Sequence, residues 1–224
     1  MNLKKITFAS PFILLFIIFL LSNNLFAHGL HPSITGEVPL VSIIKHFIIS
    51  GFQAVWKLEH LLFILGFYLI SQSWKQILTQ AAAFTLAHSL AMAIAIVAAV
   101  TLPVKIIDPI LALSIIVITI ENITSKSMPS WRLQIVFLFG LIHGLKFAVP
   151  VIEHGIPQGR LISGILSHNI GIEIGQIIVL LIAMLLTFKF IKKSFYIHYF
   201  SKFCSLIILG FTLKWAAERI FLAG

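Results

Sequence analysis

From residue 53 to residue 222 the chain alternates long apolar runs with short polar connections, the pattern of helices that cross a membrane. The runs fall at about 53–71, 76–101, 106–123, 133–151, 161–188 and 202–222. Each is at or near the ~20 residues that carry a helix across a roughly 30 Å hydrocarbon core. Pro103, Asp108-Pro109, Met128-Pro129, Pro150 and Pro157 stand as breakers at their ends. Residues 40–49, apolar but interrupted by Lys45 and His46, predict an interfacial or re-entrant helix ahead of the first span. The expected fold is therefore all-α, a polytopic membrane helix bundle of six spans.

A seventh run lies at the start. Lys4 and Lys5 precede an uninterrupted apolar stretch at 12–21, and Leu25-Phe26-Ala27 places a small residue at a cleavage position. That is the layout of a secretory signal peptide at 1–27, leaving 28–224 as one membrane domain. An uncleaved signal anchor is the alternative. Cleavage would start the mature chain at His28, whose amine and imidazole, with His31, form either a metal-capturing leader or an incidental one.

The polar residues inside these runs carry the chemistry. A charged group at membrane depth costs about 3 kcal/mol on insertion scales, so its default reading is a transport path, proton relay or ligand site. The first run holds Glu59 and His60, with Gln53, Trp56 and His60 on one face at helical spacing. An interfacial Glu59–Lys57 pair is the structural alternative. In the second run Thr85, His88, Ser89 and Met92 form a stripe, where Thr85 is placed to orient the His88 ring. The third ends in Glu121-Asn122, with Lys126 near enough to make an ordinary interfacial pair. The fourth sets His143 between Gly140 and Gly144, small residues that admit a neighbouring helix. In the fifth, Asn169, Glu173 and Gln176 make one polar face beside a small-residue face of Gly164, His168, Gly171 and Gly175. In the sixth, Lys214 and Glu218 stand at i, i+4 and predict a surface pair.

Composition narrows the class. Of 224 residues 59% are hydrophobic and only 10% charged, with a mean hydropathy of +1.07. A soluble domain would carry about 25% charged residues. The single cysteine, Cys204, excludes an intrachain disulfide and a cysteine-built metal site within one chain. A net charge of +9 sets orientation here and does not point to nucleic acid. The connections near 72–75, 124–132 and 189–202 hold Lys75, Lys126, Arg132, Lys189, Lys192, Lys193 and Lys202, against Lys105 and Arg160 in the opposite ones. The positive-inside rule then puts both mature termini outside.

Four motifs in order resemble the HupE/UreJ family of bacterial membrane proteins, most closely its second branch. They read Glu59-His60-Leu61-Leu62-Phe63, Phe84-Thr85-Leu86-Ala87-His88-Ser89, Gly140-Leu141-Ile142-His143-Gly144-Leu145 and Asn169-Ile170-Gly171-Ile172-Glu173-Ile174-Gly175-Gln176. The resemblance covers roughly residues 41–188. It implies an inner-membrane protein associated with hydrogenase or urease maturation and with nickel supply. Where the family has a histidine, five residues and Asp-His, this chain has Gln53, Glu59 and His60; Lys57 and Lys146 stand where glycine is usual.

The expected function is a permease for a divalent transition metal: nickel first, cobalt or zinc next. The expected metal-contacting residues are Glu59, His60, His88, Glu121, Asn122, His143, Asn169 and Glu173. Glu59 and His60 would capture the ion, His88, His143 and Glu173 pass it on, and Glu121 with Asn122 stand at the inner exit. Imidazole with carboxylate suits such ions by ligand type. No nucleotide-binding Gly-x-x-x-x-Gly-Lys motif is present. The bilayer and the divalent ion are the expected partners, and a homo-oligomer is open. Two other classes remain: an intramembrane metal-dependent enzyme, and a scaffold or assembly factor whose polar groups hold helices together. Neither a His-Glu-x-x-His nor a Gly-x-Ser-x-Gly motif supports the enzyme.

Overall fold

The computed structural model describes residues 39–221 apart from 158, 190 and 192–194, so the expected signal peptide, His28 and His31 lie outside it. The described residues form seven α-helices in order: α1 (Leu40–Val55), α2 (Leu58–Leu69), α3 (Trp74–Val97), α4 (Val104–Thr124), α5 (Arg132–His154), α6 (Leu161–Thr187) and α7 (Ser201–Phe221). A π-helical turn, Tyr196–Phe200, leads into α7. Five of these helices are long and apolar enough to cross a membrane. Helices α1 and α2 pass the same test only when taken together, as a pair bent by 63° at its break, which is the geometry of a broken span or a re-entrant loop.

That break corrects the sequence reading. Helix α1 extends past the expected interfacial segment to Val55, and the chain then kinks at Trp56-Lys57, where Lys57 is extended (φ −64°, ψ 140°). Gln53 and His60 thus sit on different helices and share no face. No proline or glycine marks the site. The kink leaves Lys57 exposed, which keeps its ammonium out of the packed interior.

Helix α2 explains why the chain turns there. Twelve residues make about 18 Å at 1.5 Å per residue, short of the hydrocarbon core. From His60 to Leu69 every residue but Leu65 is buried, and the helix touches α1, α3, α4, α6 and α7. A helix that is apolar all round belongs in an interior. It forms the axis of the bundle, and three closely packed pairs surround it: α3 with α5, α1 with α6, and α4 with α7.

Small residues set two of those approaches. A methyl group added at Gly144 would collide with the His88 carbonyl on α3, and one at Gly171 with the Ile48 carbonyl on α1. The small-residue faces read from the sequence therefore are the contact faces. Helix α3 starts with a reciprocal cap, in which Ser73 Oγ accepts from the Gln76 N–H at 3.4 Å and Gln76 Oε1 accepts from the Gln72 N–H at 2.7 Å. Two expected breakers do not break: Pro109 lies inside α4 and Pro150 inside α5. Membrane helices tolerate proline where neighbouring helices cover the altered backbone.

Candidate functional site

Three imidazoles from three helices meet beside the kink. His60 lies in the first turn of α2, His88 midway along α3 and His143 midway along α5, and each is at most 1% exposed. The His60 and His143 ring centres are 5.8 Å apart. Phe84 stands among all three, 5.4 Å from His60, 5.0 Å from His88 and 5.3 Å from His143. Phe147 closes another side, at 4.7 Å from His60 and 5.5 Å from His88. His143 Nδ1 is 2.9 Å from the Phe139 carbonyl. A carbonyl only accepts, so Nδ1 carries the proton and Nε2 presents a lone pair. That Nε2, and both ring nitrogens of His60, have no hydrogen-bond partner among the described residues. Leaving a buried polar group unsatisfied costs about 1–3 kcal/mol, so such groups call for an explanation.

Helix α6 supplies a carboxylate to this cluster. Glu173 Oε1 is 3.3 Å from His88 Nε2, and the Glu173 side chain is 30% exposed where His88 is fully covered. Thr85 Oγ1 donates to Glu173 Oε2 at 3.0 Å and accepts from Gln176 Nε2 at 3.3 Å. Ser89 Oγ donates to Asn169 Oδ1 at 3.1 Å. The polar face expected on α6 is therefore an interhelical seam against α3. Thr85 orients Glu173 instead of the His88 ring, because a carboxylate is the stronger acceptor within its reach.

Toward the end of the bundle that carries the 98–103 connection, His60 and His143 line a small cavity together with Lys57, Glu59 and Lys146. Among the described residues Glu59 makes no ion pair, with Lys57 or any other cation. Lys146 is held by Asp108: Nζ to Oδ1 is 2.5 Å, and the other oxygen of that buried carboxylate is 3.5 Å from Arg219. The lysine that departs from the family pattern is thus neutralised by an acid that the sequence reading took for a helix breaker. Lys214 and Glu218 pair at 3.7 Å as expected.

Glu121 and Asn122 are elsewhere. They bind Arg132, whose side chain is fully buried at the start of α5. Arg132 and His143 are three turns apart on one helix, about 16 Å along its axis. The eight candidate residues thus divide into a central group of His60, His88, His143, Asn169 and Glu173, a mouth with Glu59, and a distal pair. Among the described residues no three His, Cys, Asp or Glu side chains already stand close enough to hold one metal ion together. Sequence reasoning missed Arg132, counted there as a loop cation, and Asp108. The available signal was topological, since an acid ending one span and a base opening the next meet at the same end of the bundle.

A family model described as HupE / UreJ protein matches residues 33–219. No match is found among curated proteins or among solved structures.

Proposed function

Because the chain belongs to the HupE/UreJ family, we propose that it is an integral membrane permease for a divalent transition metal, with nickel as the first cargo to test. The observation that carries this is the buried trio His60, His88 and His143, facing Glu173 and holding unpartnered nitrogens at mid-bundle. Imidazole nitrogen with a single carboxylate is a donor set for Ni²⁺, Co²⁺ or Zn²⁺, and Phe84 and Phe147 pack against the imidazoles that would supply it. Conduction requires binding that is firm enough to enter and weak enough to leave. Ligands spread over three helices fit a site that forms as the ion arrives and is lost as it departs.

The kink supports the same reading. A discontinuous helix at membrane depth turns its end toward a binding site in many transporters. Here α2 begins at the cavity, with Glu59 in its first turn to offset the positive end of its dipole. Glu59 is the capture carboxylate at this mouth. The positive-inside asymmetry places the mouth on the outer face of the inner membrane and the 125–131 connection in the cytoplasm. The intramembrane enzyme and the assembly factor are separated from a permease by one experiment, divalent-ion uptake into proteoliposomes. Saturable uptake that depends on His88 and Glu173 supports the permease. Absence of uptake from folded protein returns the choice to the other two.

A further inference from the structure

The carboxylate at the distal end of the bundle already holds a cation, one of the protein's own. Arg132 Nη1 is 2.6 Å from Glu121 Oε2, Nε donates to Gln80 Oε1 at 3.0 Å, and Nη2 donates to Asn122 Oδ1 at 3.3 Å. The Gly66 and Ile118 carbonyls accept from the same guanidinium at 3.3 and 3.4 Å. Asn122 Nδ2 reaches on to the Gly66 carbonyl at 2.7 Å and to Ser205 Oγ at 3.1 Å. One cation thereby ties together α2, α3, α4, α5 and, through Asn122, α7. Glu121 Oε1 is buried with no hydrogen-bond partner among the described residues.

Two features argue against a purely structural role. A buried ion pair is a weak source of stability, often matched by apolar residues of similar volume. Arg132 is also the first residue of α5, where the helix dipole disfavours a positive charge. Its position at a helix start makes it displaceable, since only the first turn of α5 and the 125–131 connection must give. The oxygens around it, one carboxylate with backbone and side-chain carbonyls, are donors that a divalent cation accepts.

We propose that Arg132 is the selectivity gate of the path, holding Glu121 and the surrounding oxygens until a divalent cation displaces it. A monovalent cation carries no more charge than the guanidinium and gains nothing by exchange at one carboxylate. A divalent cation doubles the attraction to the same group. This proposal deepens the permease reading and rests on it.

The test uses the full chain in proteoliposomes and compares the parent with Arg132→Gln/Glu121→Gln, which removes both charges and keeps hydrogen-bonding groups. Potassium and proton leak are measured beside Ni²⁺ uptake. Independently, Ser205→Cys on a Cys204→Ser background reports water access through its reaction with a charged methanethiosulfonate reagent. The expected result is monovalent leak in the double variant but not in the parent, with labelling about ten-fold faster, the response to about a 1.4 kcal/mol shift in an opening equilibrium. Arg132→Lys keeps the charge but not the planar fork and falls between the two; it also serves if the double variant does not fold. Parent-like labelling and no monovalent leak in the folded variants would overturn the gate. Faster labelling with no Ni²⁺ uptake by the parent would overturn the permease and leave Arg132 as a closure of the bundle.

Discussion

Glu173→Gln is the most informative single substitution in the central cluster. Glutamine has nearly the same shape, and its carbonyl oxygen still accepts from Thr85, which holds Glu173 Oε2 at 3.0 Å. The fold therefore loses only the difference between a charged and a neutral acceptor, about 1 kcal/mol. A cation arriving at His88, whose Nε2 lies 3.3 Å from Glu173 Oε1, loses that adjacent carboxylate. A charge-assisted contact is worth about 1.5–3 kcal/mol, which raises the KM for uptake about 10- to 100-fold. The assay is the initial rate of radioactive Ni²⁺ uptake into proteoliposomes against concentration, with the thermal unfolding of the same preparation measured in parallel. A KM within about two-fold of the parent would refute the reasoning, since a carboxylate facing the ion must change its affinity by more than that.

Three other predictions concern the frame around the cluster. Gly171→Val drives a side chain into the Ile48 carbonyl and lowers stability by about 1–3 kcal/mol or more, whereas Gly210→Val, which meets nothing within 4 Å, leaves the melting temperature near the parent's. Asp108→Asn strips the carboxylate from Lys146 and Arg219. With the Lys146 side chain 16% exposed, the loss is about 3 kcal/mol, at the low end for a broken buried pair, and Lys146→Met added to it recovers most of the melting temperature. On a Cys204→Ser background, Lys105→Cys reacts with an impermeant thiol reagent in intact cells, whereas Lys126→Cys reacts only after the inner membrane is permeabilised. The reverse pattern would invert the orientation.

What the sequence disclosed and what it hid divide along physical lines. Run length alone located five of the six expected spans, because an apolar run near 20 residues has few other fates. The glycine spacing around Gly144 and Gly171 identified faces that do pack at close range, since only a missing side chain lets backbones meet. The face of Asn169, Glu173 and Gln176 was legible by its period, and it joins α3 as that period implies. The kink at Trp56-Lys57 was not legible. It comes from the position of α2 on the axis of the bundle and the exposure of Lys57, and neither leaves a mark in local composition. Asp108 and Arg132 were hidden for a related reason. Their partners are 38 and 11 residues away, and only the arrangement of helix ends shows which charges share one end. The place of Phe84 among three imidazoles depends on how α2, α3 and α5 pack together, which no local pattern encodes.

The central claim, that the histidine cluster carries a divalent ion through the membrane, is tested most directly by uptake of Ni²⁺, Co²⁺, Zn²⁺ and Cu²⁺ into proteoliposomes containing the purified chain, alongside folded His88→Ala. A permease of this kind gives saturable uptake of at least one ion by the parent and its loss in the variant. No uptake of any of the four by folded parent protein, or undiminished uptake by His88→Ala, would contradict it.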